Sequence, residues 1–197
     1  MFLKYTIKLF YCPQIVFQGL LKEPRRIVFG ILSILVLALV YYLGISIVLK
    51  CDVMQLPQLL VLNIPAEHYY TYERYFIFPV GLAGTILAAG VIRLSAYAWK
   101  GKGRFEDLFA LLSFSLIVVA IVIGIPDLII GVLTGLGVLN PLGFAYVGPH
   151  VWLGTLWYLF LSILVVKETE QLAWGKSLML GFIGFATNGM IQFIFIR

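Results

Sequence analysis

The chain has 197 residues, of which 62% are hydrophobic and only 12% are charged, and its formal net charge is +5. Soluble domains usually carry about 25% charged residues, so this composition excludes a water-soluble domain. The apolar residues form continuous runs rich in leucine, isoleucine and valine, whereas a membrane β-barrel alternates apolar and polar residues. We therefore predict an all-α, polytopic membrane protein.

The first 26 residues are interpreted as a cytoplasmic tail. Within it, the segment PQIVFQGLLKEP predicts a short helix that starts near Pro13 and ends at Pro24. Its apolar and polar residues fall on opposite sides, as in an amphipathic helix lying flat on the cytoplasmic leaflet; an irregular leader is the alternative. The apolar side consists of Ile15, Val16, Phe17 and Leu20, and the polar side of Gln14, Gln18 and Lys22.

The remainder, 27–197, is predicted to be a membrane domain with five spans, each long enough to cross about 30 Å of hydrocarbon as a helix. Pro126 is expected to end or kink the third span. The stretch 127–148 is apolar but rich in glycine, so we predict a short helix and a turn at the membrane surface there, with a sixth span as the alternative. The five spans cover about 27–49, 75–99, 106–125, 151–166 and 176–196.

Lysine and arginine are distributed unequally between the two sides that five spans define. Ten lie in the N-terminal tail, the turn at 99–109 and the hairpin at 167–176, whereas three lie on the opposite side. Cytoplasmic segments of membrane proteins are enriched in these residues. We therefore place the N-terminus in the cytoplasm and the C-terminus outside.

The polar stretch WKGKGRFEDLF (Trp99–Phe109) connects the second and third spans. Gly101 and Gly103 allow the chain to reverse within a few residues, and the acids that follow complement the dipole of the next helix. A hairpin whose cations orient two helices explains these residue types; the alternative is a surface that binds anionic lipids or a protein partner. The residues of that surface are Lys100, Gly101, Lys102, Gly103, Arg104, Phe105 and Glu106.

Arg93 is an ionisable residue well inside a predicted span. It precedes Trp99 by about 9 Å of helix at 1.5 Å per residue, so its side chain can extend to the headgroups or pair with an acid at a neighbouring helix end. Intramembrane charges also mark functional sites, so Arg93 is a candidate for a transport route. The candidate acids are Glu106, Asp107, Glu168 and Glu170.

Small and polar residues recur along one face of the second span and one face of the fifth. Small residues let membrane helices approach closely, and amides form hydrogen bonds across the contact. We therefore expect these two helices to pack on each other, or the stripes to support a homo-oligomer; alternatively, Asn188 and Gln192 line a polar path. The stripes are Gly81, Gly84, Ala88 and Ser95 in the second span, and Ser177, Gly181, Gly184, Asn188 and Gln192 in the fifth.

The sequence contains no recognisable arrangement of residues for catalysis, metal binding or nucleic-acid binding. Its histidines and acids lack the spacing of a metal site. Cys12 and Cys51 flank the first span, on opposite sides of the membrane, so a disulfide between them is not expected. We expect no enzymatic activity, cofactor, metal or nucleic-acid partner.

The hairpin resembles that of the Yip1 domain family of small membrane proteins. Bacterial and archaeal members carry a glycine-lysine-glycine-aromatic turn that opens a helix with a Leu-Phe pair, and here the following span ends at IPDL. The resemblance implies five spans, a cytosolic N-terminus and a prokaryotic cell membrane; the Rab binding and vesicle traffic of eukaryotic members, which have a longer N-terminal region, are not carried over. The matching residues are Gly101, Lys102, Gly103, Phe105, Leu108 and Phe109.

Two functions from different classes fit these features. The first is a non-enzymatic organiser whose basic cytoplasmic face recruits lipids or a protein partner, because each cation contributes about 1 kcal/mol near anionic lipid. The second is a small-solute or ion transporter or channel acting as an oligomer. Its route would pass Arg93, Asn188 and Gln192.

Overall fold

The computed structural model describes residues 1–50, 62, 64–139 and 148–195. Cys51, Arg197 and residues 140–147 of the glycine-rich stretch lie outside these ranges. The side of the membrane expected for Cys51 therefore stays a prediction. A π-helical turn, Ala120–Gly124, joins α5 directly to α6. The α-helices are α1 (Phe2–Leu9), α2 (Pro13–Leu21), α3 (Arg26–Lys50), α4 (Ala66–Ala98), α5 (Phe105–Val119), α6 (Ile125–Gly135), α7 (Pro149–Glu170) and α8 (Trp174–Phe195).

Five helices in the described ranges are long and apolar enough to cross a membrane. The prediction of an all-α, polytopic membrane protein is therefore confirmed, and the chain is an integral membrane protein. The second span begins about nine residues earlier than predicted. The five segments are Arg26–Ile47, Ala66–Ala98, Phe105–Gly135, Pro149–Glu170 and Trp174–Phe195.

The third span is longer than predicted, because Pro126 does not end it. The helix continues through the π-helical turn into α6, so that Phe105–Gly135 forms one apolar helix. A π-helical turn widens the backbone, and Pro126 follows in the first turn of α6, where its missing N–H costs least. The predicted boundary at Ile125 was wrong. The short helix predicted after it is present as α6, but it continues the third span rather than standing apart from it. Residues 127–135 complete the third span, so they do not form a sixth one.

The first half of the third span is the centre of the bundle. Every residue from Leu108 to Val118 is buried, and α5 contacts α3, α4 and α7. The segment from Leu108 to Val118 is apolar on all sides apart from two serines, as expected of a helix surrounded by other helices.

Helix α2 starts near Pro13 and ends before Pro24, and most of its apolar side packs on the bundle, while Ile15 is 63% exposed. Its polar side is also engaged, since Gln14 and Gln18 donate hydrogen bonds to the Glu168 carboxylate at 2.8 and 2.9 Å. The position of α2 flat on the leaflet stays a prediction, with three of its four predicted apolar residues covered by protein. The buried residues of α2, which pack in the core with α5 and α7, are Val16, Phe17 and Leu20.

Helix α1 was not predicted. Its inner side packs on the bundle through Phe2, whose ring meets Phe29 and Phe114 edge-on at centroid distances of 5.8 and 5.7 Å. Its outer side is apolar and exposed, with Leu3 at 68% and Ile7 at 55%. Of the two tail helices, α1 therefore leaves more of its apolar surface uncovered by protein.

The three cationic segments meet at one end of the bundle, which we call the basic end. The tail contacts the start of α5 through an Arg26–Asp107 ion pair of 2.6 Å, and the turn contacts the end of α7 through a hydrogen bond from the Lys102 N–H to the Glu170 carbonyl. At the other end, the Tyr69 hydroxyl donates to the Phe195 carbonyl. The start of α1 and the end of α8 thus lie at opposite ends of the bundle.

Candidate functional site at the basic end

The turn between α4 and α5 is built around the carboxylate of Glu170. This last residue of α7 is 0% exposed. Arg93 Nη1 and the Gly103 N–H both donate to Glu170 Oε2 at 2.9 Å, and Arg93 Nη1 also donates to the Gly101 carbonyl at 3.2 Å. We call Arg93, Gly101, Gly103 and Glu170 the Glu170 cluster. It ties the end of α4, the turn and the end of α7 into one unit.

Both glycines of the turn are required by close approach to this carboxylate. A Cβ at Gly101 would collide with Glu170 Oε2, and a Cβ at Gly103 would lie 2.7 Å from Glu170 Oε1. The left-handed backbone of the reversal lies at Lys100, where φ is +59°, a conformation that non-glycine residues adopt rarely. The expectation that the two glycines allow the chain to reverse was therefore incomplete, because they leave room for the Glu170 carboxylate.

Arg93 pairs with one of the four acids that the sequence offered, Glu170. The Arg93 side chain retains some exposure, at 28%, while the Glu170 side chain has none. Arg93 thus combines an ion pair with an outward reach along the helix. The other acids contact different groups: Asp107 pairs with Arg26, Glu106 with Arg104 at 3.4 Å, and Glu168 with Gln14 and Gln18.

Most other cations of the basic end face outward. Exposed aromatic rings accompany them, with Tyr97 at 77% exposure, Trp174 at 55% and Phe105 at 40%, as is typical of residues at a membrane interface. Lys176 lies over the Trp99 ring at 5.6 Å. Within the described ranges, the cations with no carboxylate at salt-bridge distance include Lys4, Lys8, Lys22, Arg25, Lys100 and Lys102.

The two amides of α8 lie elsewhere in the bundle. Asn188 is 1% exposed; its Nδ2 donates to the Tyr158 hydroxyl at 2.8 Å, and its Oδ1 accepts from Gln192 Nε2 at 3.4 Å. Gly84 lies directly against Asn188, and Arg93 follows Gly84 by nine residues, about 14 Å along α4. Arg93 and the amides therefore do not form one site.

A cavity of about 280 Å³ lies beside these amides, and we call it the central cavity. Its polar lining was only partly predicted, because tyrosine and threonine inside an apolar span carry no signal of what they face. Its hydrogen-bonding residues are Tyr41, Thr155, Tyr158, Asn188 and Gln192.

Helices α4 and α8 pack on each other, and two of the predicted glycines lie in that contact. A Cβ at Gly184 would collide with Ile92 of α4, as one at Gly84 would with Asn188. Each glycine leaves room for a larger side chain on the other helix, which is how small residues bring membrane helices together.

The other two glycines face different neighbours, contrary to the expectation. A Cβ at Gly81 would lie 3.2 Å from Ile34 of α3, and one at Gly181 would lie 2.6 Å from the Ile163 Cα of α7. A stripe of small residues covers enough of a helix to touch two neighbours, so the stripe alone does not identify the partner.

A comparison with family models, with curated proteins and with solved structures finds no match to this chain. The resemblance of the hairpin to the Yip1 domain family therefore stays a prediction.

Proposed function

We propose that this chain is a non-enzymatic membrane protein that recruits anionic lipids and acidic protein partners to the cytoplasmic face of a prokaryotic cell membrane. The observation that carries this proposal is the set of outward-facing cations at the basic end, where no described carboxylate neutralises six of them. Each such cation contributes about 1 kcal/mol of attraction to an anionic surface. The excess of cations also supports a cytoplasmic position for this end.

The Glu170 cluster supports the proposal by holding the turn in one conformation. Lys100 and Lys102 belong to a backbone segment fixed by hydrogen bonds from Gly103 to the Glu170 carboxylate and from Lys102 to the Glu170 carbonyl. A fixed backbone lowers the entropy cost of binding, because the cations are already in place when a partner arrives. Under this proposal, the same turn acts both as the hairpin that orients two helices and as the recognition surface.

Neutralising the turn tests the proposal. The triple variant Lys100→Gln, Lys102→Gln, Arg104→Gln is expected to retain at least about tenfold less anionic lipid and acidic protein after mild solubilisation, because three cations at about 1 kcal/mol each are lost. Mass spectrometry of co-purified lipids and proteins measures this. Lys50→Gln, at the other end of α3, is the control and should retain wild-type amounts. Unchanged co-purification in the triple variant would refute the proposal.

A second candidate function, transport of a small solute, is favoured by the central cavity. Hydroxyls and amides line it, with no charged side chain among its described lining residues, so this arrangement suits a neutral solute better than an ion. Arg93, which the sequence suggested for a route, is held by Glu170 away from the cavity.

Thr155→Val separates the two functions, because it removes one hydroxyl from the cavity lining at nearly constant volume. Under the organiser proposal, proteoliposomes should show the same glycerol and urea permeability as protein-free vesicles, measured by stopped-flow light scattering. Protein-dependent flux that falls several-fold in Thr155→Val but not in Thr187→Val, a residue of α8 outside the described lining, would support the transporter instead.

A further inference from the structure

A second concave surface lies in the N-terminal tail, and we call it the α1–α2 groove. The two helices fold back on each other after a short connection at 10–12, leaving a cavity of about 300 Å³. Gly19 brings α2 close to α1, since a Cβ there would lie 3.2 Å from the Tyr5 ring. The residues that line the groove are Met1, Lys4, Tyr5, Lys8, Ile15, Val16 and Gly19.

The polar groups of the groove suit an anion. Lys4 and Lys8 are four residues apart and thus neighbours on the surface of α1, and Tyr5 adds a phenol hydroxyl. No described carboxylate lies at salt-bridge distance from either lysine. Two ammonium groups and a hydroxyl around one cavity match the oxygens of a phosphate, which accept strong charge-assisted hydrogen bonds.

The surroundings of the groove are apolar. Leu3 is 68% exposed, Ile7 55%, and Tyr11 and Ile15 both 63%. An exposed patch of this kind beside two lysines would be unfavourable in water, but it is typical of helices that lie at a bilayer surface, with apolar residues in the acyl region and cations at the headgroups.

The depth of α1 agrees with that position. Phe2 packs on Phe114, which follows Asp107 by seven residues, about 10 Å along the third span. The start of α1 therefore lies deeper in the bundle than the Arg26–Asp107 pair of the basic end. Helices at the boundary of headgroups and acyl chains bury their apolar faces about 5–10 Å.

We propose that the α1–α2 groove binds one anionic phospholipid. The ammonium groups of Lys4 and Lys8 contact its phosphate, and its acyl chains run along Leu3 and Ile7. The ligand is a lipid rather than free phosphate, because the cations are bordered by exposed apolar residues at bilayer depth. This inference rests on the proposed function and deepens it, since it assigns one of the recruited lipids to a defined site.

Native mass spectrometry of the full-length protein, titrated with phosphatidylglycerol or phosphatidylcholine in detergent, tests this inference. The wild type is expected to retain one phosphatidylglycerol in preference to phosphatidylcholine, and Lys4→Gln/Lys8→Gln to bind it at least about tenfold more weakly. The matched control is Lys22→Gln/Arg25→Gln, which removes the same charge from the same tail outside the described lining of the groove. It should lose only part of the unselective lipid attraction of the basic end and keep the one preferentially bound phosphatidylglycerol. Thermal melting of both variants checks that they fold.

Three outcomes would overturn the proposal of a lipid site in the groove. The first is wild-type affinity for phosphatidylglycerol in Lys4→Gln/Lys8→Gln, and the second is an equal loss of affinity in both double variants, which indicates unspecific attraction. The third is displacement of the lipid by inorganic phosphate. The proposed function fails separately. If the groove variant binds normally while the turn variant loses its lipids, the groove is refuted and the function stands. The reverse result keeps the groove and refutes recruitment through the turn.

Discussion

Replacing Arg93 by methionine is expected to destabilise the protein by about 3–5 kcal/mol, the cost of leaving one member of a buried ion pair without its partner. Glu170 is fully buried, and its Oε1 already has no hydrogen-bond partner among the described residues. Without Arg93, the hydrogen bond that remains to the Glu170 carboxylate among the described residues comes from the Gly103 N–H. One amide does not compensate a carboxylate in an apolar environment.

The expected cause of this destabilisation is the unpaired charge of Glu170, rather than the lost packing of the Arg93 side chain. The double variant Arg93→Met/Glu170→Gln should therefore be more stable than Arg93→Met alone, because glutamine is neutral and keeps an acceptor for the Gly103 N–H. Arg104→Met is the control, since its pair with Glu106 is 67% and 47% exposed and such pairs contribute about 0–1 kcal/mol. Unfolding in mixed lipid–detergent micelles measures the differences. Equal effects of Arg93→Met and Arg104→Met would contradict the prediction.

If Glu170 organises the turn, its loss also affects function. The cations at Lys100 and Lys102 are carried by backbone that the Glu170 cluster holds. Loosening that backbone leaves the net charge of the turn unchanged but increases the entropy cost of binding. Stability and lipid recruitment are thus linked through one carboxylate.

The spans could be predicted from the sequence because the bilayer acts on each segment separately. A run of about 20 apolar residues must cross as a helix, whatever its neighbours are. The boundary at Pro126 depends on more than the local sequence: a π-helical turn, held in a packed bundle, accommodates the proline and lets the helix continue. Nothing in the local residue types distinguishes that outcome from a helix end.

The two tail helices show the same limit. The pattern of α2 identifies an apolar side, but not whether lipid or protein covers it; Phe17 and Leu20 are covered by protein. Helix α1 was missed because it is short and carries apolar residues on both sides, with Phe2 facing the bundle and Leu3 facing outward. A periodicity criterion detects one apolar side, not two.

The Glu170 cluster could be predicted only in part. An arginine inside a span requires a partner or a path to the headgroups, and that requirement selected Arg93. Glu168 and Glu170 are both close to the end of the same helix, and only the rotation of α7 in the bundle decides which one is buried. The packing role of Gly101 and Gly103 followed once the position of that acid was known.

Gly181→Ala is expected to destabilise the bundle by about 2–3 kcal/mol, in the upper part of the range for overpacking. Its Cβ would lie 2.6 Å from the Cα and 2.8 Å from the backbone nitrogen of Ile163. Backbone atoms cannot rotate aside as a side chain can, so α7 and α8 must move apart. That movement weakens the contact between Asn188 and Tyr158, which joins the same two helices.

The same helix provides a control of opposite sign. Gly189 is exposed, and beyond its chain neighbours and its own helix backbone no atom lies within 4 Å of a Cβ built there. Gly189→Ala should therefore stabilise α8 by up to about 1 kcal/mol through the higher helix propensity of alanine. Both variants add one methyl group to one helix, so composition and hydrophobicity change equally and only the contact differs. The free energy of unfolding in mixed micelles should therefore fall in Gly181→Ala and rise in Gly189→Ala. A shift of the same sign and size in both would show that Gly181 does not set the distance between α7 and α8.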